Sequence, residues 1–187
     1  MKKHLFLTLA ISFGIIVSAS AQQSTFLKGD NVASLGIGIG GYLGTGGWHH
    51  GGSISRTPLI SASFEHCIID NLFDEKSSIG VGGLLGFKSV KIADWWKTTY
   101  IVIGARGAFH YALVDKLDTY AGLHLGYDIV NSKWIGSGSS YSESYGASGL
   151  SYGFFAGARY YFTDAIAVFA ELGYGYAVLN AGVAFKF

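Results

Sequence analysis

Beyond residue 30, apolar side chains recur at every second position with Gly, Ser or a charged residue between them, in one segment after another. In residues 31–41, Ala33, Leu35, Ile37 and Ile39 alternate with Ser34, Gly36, Gly38 and Gly40. A period of two marks a β-strand, whose successive side chains point to opposite faces. The composition of the second face restricts the fold further. In a soluble β-sandwich or lipocalin-like barrel the apolar faces would point inward. Here the face opposite the aliphatic and aromatic residues is mostly Gly, Ser and charge, too small and polar to meet such a core. A sheet closed on itself in lipid has the reverse pattern, apolar outward and polar inward. Composition agrees: 50% of residues are hydrophobic and 28 are Gly, yet no long apolar run occurs outside the N-terminus. Gly36, Gly38 and Gly40 lie in a strand pattern with no helix after it, so they do not read as a phosphate loop.

Eight such segments follow one another: 31–41, 58–69, 78–88, 100–112, 118–130, 149–162, 166–175 and 178–187. Strands of roughly 9–11 residues cross a bilayer when tilted. The expected fold is all-β, an eight-stranded antiparallel up-and-down transmembrane β-barrel.

Lys2 and Lys3 precede an apolar run from Leu5 to Val17, then small residues ending Ala19-Ser20-Ala21. This is the pattern of a cleavable signal peptide cut between Ala21 and Gln22, and the run is shorter than the roughly 20 residues of a membrane-spanning helix. The expected organisation is a signal peptide over 1–21, a short periplasmic N-terminal segment over 22–30 and the barrel over 31–187, with export through the Sec pathway. No Cys follows the cleavage point, which argues against a lipoprotein anchor, and Cys67 as the sole cysteine excludes an internal disulfide. Loss of the signal peptide takes the formal charge from +1 to −1, since 13 − 2 leaves 11 basic residues against 12 acidic ones. That balance does not point to nucleic acid. With a periplasmic N-terminus, the long connections 42–57, 89–99 and 131–148 fall outside the cell and the shorter 70–77, 113–117 and 163–165 in the periplasm, as outer-membrane barrels arrange them. The tight link at 176–177 breaks that trend.

The last strand places Asn180, Gly182, Phe185 and the terminal Phe187 at fixed intervals. This spacing resembles the terminal strand through which outer-membrane barrels engage the barrel-assembly machinery. Residues 157–164 running into 169–175 resemble the final hairpins of the small outer-membrane β-barrel family, OmpA/OmpX-like in architecture. The resemblance covers nearly the whole mature chain. It implies a monomer in the outer membrane of a Gram-negative envelope, in contact with outer-membrane lipid and lipopolysaccharide, and it implies no activity.

Eight strands leave an interior that side chains just fill. By parity Glu65, Lys88, Arg106, His110, His124, Asp128, Arg159, Glu171 and Lys186 point into it. An isolated charge there is costly, so these groups should pair. Folding strand seven back on six puts Arg159 opposite Phe169, with Glu171 as its diagonal neighbour and expected partner. Folding four on five puts His110 opposite Tyr120 and Arg106 opposite His124, while Glu65 should lie near the height of Arg159 and His110. A polar plug is expected. Its rival is a porin-like ion pathway, against which the inward Phe155, Tyr161 and Phe169 argue. Tyr111, Tyr160, Phe162, Phe185 and Phe187 should form a periplasmic aromatic girdle, and Tyr100, Tyr127, Tyr152 and Tyr174 the outer one.

The connections carry His49, His50, Asp94 and several serines, but nothing brings a nucleophile and a base together, and no strand carries a His-x-Ser pair of the lipid A deacylase kind. Neighbouring histidines rarely aim at one ion. No enzyme, metal or cofactor is therefore expected. Trp48, Trp95, Trp96 and Trp134, with Tyr141 and Tyr145, are large aromatics in segments that should be exposed. They could anchor an extracellular ligand of unidentified chemistry or dip into lipid headgroups. The expected role is structural or surface interaction, ahead of a small channel and, third, a lipid A-modifying enzyme.

Overall fold

The computed structural model describes residues 24–43, 53–92, 96–136 and 148–187. The segment expected to be a signal peptide, with Ala21 and Gln22 at its expected cleavage point, and the residues Trp48, His49, His50, Asp94, Trp95, Tyr141 and Tyr145 lie outside the described residues.

Nine strands follow in order: β1 (Asn31–Ile39), β2 (Ile54–Arg56), β3 (Leu59–Asp70), β4 (Ser77–Ile92), β5 (Trp96–Val114), β6 (Leu117–Trp134), β7 (Gly149–Tyr161), β8 (Ile166–Tyr174) and β9 (Leu179–Lys186). All but β2 form one closed antiparallel ring, each paired with its neighbour in sequence, with β9 returning to β1 through Gly36↔Gly182 and Val32↔Lys186. The backbone of Phe187 exchanges hydrogen bonds with that of Asn31 at 2.9 Å each and finishes the seam. Closure pairs each of the eight ring strands on both sides over the height they share, so the shared belt has no open edge, which lipid would not tolerate. The fold is an eight-stranded transmembrane barrel.

Exposure runs inside-out. Leu123 and Leu150 are 68% and 82% exposed on the outer face, whereas Glu65 and Arg159 are 2% exposed within. Both described chain ends and the short turns lie at one end, here the lower. Tyr160 and Phe162 meet edge to face at 5.4 Å there, and Phe185 and Phe187 stack at 5.8 Å. Tyr127, Tyr152 and Tyr174 face outward nearer the upper end. Tyr100 does not join them. It has the parity of Val102, points inward and packs on the upper interior cluster. Its position near a strand end resembles a girdle residue only until the face is counted.

The walls differ in height. β5 and β6 have 19 and 18 residues, but β8 and β9 have 9 and 8. Residues 89–92, 96–99 and 131–134, expected in connections, continue the ladders of β4, β5 and β6, and β2 pairs along the top of β4. Val90, Ile92, Thr98 and Thr99 are β-branched, and their preference for extended backbone outweighs the loop-like look given by the lysines and tryptophans. Trp96 and Trp134 are therefore strand residues, directly opposite one another and edge to face at 5.5 Å.

The N-terminal segment does not simply hang below the barrel. Residues 24–30 enter the lower mouth, where the Ser24 N–H donates to the Glu75 carbonyl and the Gly29 N–H to the Cys67 carbonyl. Phe26 is fully buried with Val32, Cys67, Tyr161 and Phe169.

Candidate functional site

The buried charged side chains of the described residues gather in the lumen. Its lower storey is built from register. Arg159 on β7 stands directly opposite Asp118 on β6. Its guanidinium reaches Asp118 at 3.1 Å and, across the lumen, Glu65 on β3 at 3.1 Å. His110 on β5 closes the cycle, with Nε2 2.9 Å from Glu65 and Nδ1 3.0 Å from Asp118. A neutral imidazole has one N–H, so two carboxylate partners call for the imidazolium. Four strands are thus tied by a ring of alternating anion and cation, every member 2% exposed or less.

A second unit lies beside it. Arg106 on β5 pairs across the barrel with Glu171 on β8 at 2.7 Å. Glu171 also accepts hydrogen bonds from the Tyr120 hydroxyl at 3.0 Å and the Asn180 amide at 3.3 Å, and Asn180 accepts from Ser61. Aromatic faces separate the two units: Arg159 lies 5.0 Å over Tyr120 and Arg106 4.2 Å over Phe155. Glu65, Asp118 and Glu171 balance Arg106, Arg159 and the His110 imidazolium charge for charge.

The pairing of Arg159 with Glu171 expected from sequence is not formed. The register behind it is present, with Arg159 opposite Phe169 and Gly157 opposite Glu171. Arg159 has a second neighbouring strand, however, and there Asp118 is directly opposite. A direct partner is about 4.5–5.5 Å away between Cβ atoms and a diagonal one about 7–8 Å. Asp118 has the same inward parity as Tyr120 and His124, and that parity was the signal that could have identified it.

Of the other inward residues, His124 neighbours Arg106 in the sheet but stays outside the ionic network. It packs between Phe155 and Tyr176, with ring centroids at 6.4 and 4.8 Å, and faces a small pocket shared with Glu171 and Asn180. Lys186 sits at the lower mouth, donating to the Thr25 carbonyl at 2.9 Å, 3.7 Å from Asp30 and over the Tyr161 ring. Asn180 belongs to the lumen network as well as to the terminal-strand pattern. Gly182 is required by closure: a Cβ there would run into the Leu35 carbonyl of β1. Phe185 and Phe187 face outward.

The upper storey is mostly apolar, with Leu43, Leu59, Leu84, Val102 and Tyr176 buried together. Lys88 is buried among them and donates to the Leu43 carbonyl at 2.8 Å and the Gly40 carbonyl at 3.5 Å. Asp128 accepts from Ser151 at 2.9 Å. Gly40 and Gly41 have φ of 74° and 80°, the left-handed region open to Gly, and there the chain turns over the mouth. In the lower ring Arg159 takes the place between carboxylates that a metal would need, and no group of three or more His, Cys, Asp or Glu side chains among the described residues is arranged to hold one.

No family model matches the chain, and no curated protein matches it in sequence. Solved structures do match in fold. Ail, the attachment invasion locus protein of Yersinia pestis, aligns at 11% identity over 86% of this chain and 100% of its own, with a TM-score of 0.53. Its complex with the heparin analogue sucrose octasulfate aligns at 10% identity over 86% and 100%, with a TM-score of 0.52. The outer membrane protein OprG from Pseudomonas aeruginosa aligns at 9% identity over 88% and 99%, with a TM-score of 0.47. The chain has the fold of the small, OmpA/OmpX-like outer-membrane barrels.

Proposed function

We propose that this chain is an outer-membrane barrel with a closed lumen, and that its role is structural or surface interaction through its upper rim. The observation that carries the closed-lumen reading is the cycle of Glu65, Arg159, Asp118 and His110, which ties four strands across the interior. Phe26 lies under that cycle, its ring 4.6 Å from His110, and Arg106 with Glu171 lies beside it. An ion passing through would have to separate buried pairs, each a penalty of roughly 3–5 kcal/mol when one partner is left alone. The lumen is also an unsuitable catalytic centre. His110 spends both ring nitrogens on carboxylates, and no hydroxyl or thiol nucleophile hydrogen-bonds to it.

Outer-membrane placement rests on the signal-peptide pattern, the lipid-facing belt, the terminal strand and the shared fold. The lower end, with the short turns, would face the periplasm, and the tall β4–β6 wall the exterior. Ail, a barrel of this fold, has been solved in complex with sucrose octasulfate, so a barrel of this kind can take a ligand, and the exposed upper rim is the surface this reading assigns to contact here.

Planar-bilayer recording tests the closed lumen: the purified barrel should give no steady conductance, and discrete open steps would favour the channel. Fractionation tests the placement. The protein should require detergent for extraction and migrate differently when unheated, whereas recovery as a soluble periplasmic monomer would end this reading. Deleting Phe187, or Gly182→Val, should lower the assembled yield through the barrel-assembly machinery and leave export intact. Lipid A mass spectra should not change on expression; a new lipid A species would revive the enzyme reading.

A further inference from the structure

The outward face of the tall wall changes character in three rows. Phe87, Ile101 and Ile129 stand side by side on β4, β5 and β6. One row higher are Ser89, Thr99 and Asn131, and one row higher again Lys91, Lys97 and Lys133. The three lysines are direct cross-strand partners, with Lys97 between the other two. Like charges placed directly opposite destabilise a sheet, and nothing in the described protein relieves them. Among the described residues none of the three forms an ion pair, and the described carboxylates all lie in the lumen or toward the lower end and its turns. Side-chain hydroxyls and an amide sit just below the row, and Ser55 of β2 flanks Lys91.

Height decides what could answer this charge. On β5 the lipid-facing residues run from Tyr111 in the lower girdle to Ile101, ten residues apart. At about 3.3 Å per residue and a tilt of about 40° this spans about 25 Å, the height of an apolar belt. Lys97 is four residues further, about 10 Å above the belt. That is headgroup height, and lysine stems can lean down toward it along the apolar wall.

We propose that Lys91, Lys97 and Lys133 form a docking site for the phosphorylated sugar headgroup of an outer-leaflet glycolipid. The lysines take the phosphates, Thr99 and Asn131 face the sugar hydroxyls, and the row of Phe87, Ile101 and Ile129 faces the acyl chains. This rests on the outer-membrane placement proposed above and adds the residues and the ligand chemistry to it.

The test uses the full mature barrel refolded in zwitterionic nanodiscs, with native mass spectrometry reading retained lipid. The probes are lipid A carrying two phosphates, the same lipid A dephosphorylated, and sucrose octasulfate as a soluble polyanion. Bisphosphorylated lipid A should be retained roughly tenfold over the dephosphorylated form, as expected of a few modest ionic contacts acting together. The triple variant Lys91→Gln, Lys97→Gln, Lys133→Gln should lose that preference, and sucrose octasulfate should fail to displace the lipid. Equal preference in the triple variant, or displacement by the soluble polyanion, would overturn the proposal. Lys97→Gln alone guards against a folding defect. It should raise or leave unchanged the urea midpoint in neutral detergent, where it relieves repulsion, and lower it in bilayers containing bisphosphorylated lipid A. The same response in both media would also overturn the proposal. Because binding is read on refolded protein, a wrong cellular location would appear in fractionation and not here.

Discussion

In the lower lumen every buried charge meets an opposite charge carried by another strand, whereas in the upper lumen the buried ammonium of Lys88 is held by carbonyls of the chain that folds over the mouth. The lower storey is ionic and tied across the barrel. The upper is an apolar cluster, Leu43, Leu59, Leu84, Val102 and Tyr176, with one cation at its edge. The first is fixed by strand register, the second by a local turn. Perturbing the two storeys should therefore give different energies and different readouts.

The largest effect is expected at Arg159. Arg159→Met leaves Glu65 and Asp118 facing a lumen with only His110 between them. It should cost roughly 3–5 kcal/mol in urea unfolding in detergent or lipid, the range for a buried charge deprived of its partner. Adding Asp118→Asn should recover part of the loss. If the double variant is as unstable as the sum of the two single changes, the ring does not act as a unit.

Much of the lower storey was legible from parity. Alternation puts Glu65, Arg106, His110, Arg159 and Glu171 on one face, and the hairpin turns fix His110 opposite Tyr120 and Arg106 opposite His124. Partner choice was not legible from one hairpin, because each lumen residue has two neighbouring strands and a far wall. Arg159 chose the strand on its other side. The upper storey was illegible for a different reason. Leu43 and the carbonyls that hold Lys88 belong to a connection, and only the positive φ of Gly40 and Gly41 brings them over the mouth. Strand length misled for a third reason: lysines and tryptophans look like loop residues, but Val90, Ile92, Thr98 and Thr99 between them keep the ladder going.

A smaller effect is expected at Lys88. Lys88→Met removes a cation held by carbonyls and not by a carboxylate, so no carboxylate is deprived of a partner, and Asp128 in the same storey keeps its hydrogen bond from Ser151. The loss should be that of a hydrogen bond to a charged group, about 1.5–3 kcal/mol, and should appear mainly as faster proteolysis near residues 40–43. A loss as large as that of Arg159→Met would erase the distinction between the storeys.

Gly40→Ala should cost about 1–2 kcal/mol, the penalty for a side chain in the left-handed region. The prediction separates turn from register: the ion pairs of the lower ring should persist, seen as an unchanged response to Arg159→Met in the Gly40→Ala background. A strongly altered response would mean that the turn and the ring are coupled through the lumen.

The smallest effect should come from the top of the tall wall. Trp96 and Trp134 meet edge to face on the inward side of β5 and β6, above the ring-closing strands and away from both storeys. An aromatic pair of this geometry contributes roughly 0.5–1.5 kcal/mol beyond its area, and these rings are only half-buried. Trp96→Ala should therefore leave the global unfolding midpoint nearly unchanged while amide exchange at residues 96–99 and 131–134 quickens, because the wall above the barrel opens locally. If Trp96→Ala instead destabilised the whole barrel as Arg159→Met does, the tall wall would be part of the same cooperative unit as the lower ring, and height above the belt would no longer separate a rim that opens locally from a lumen tied across its strands.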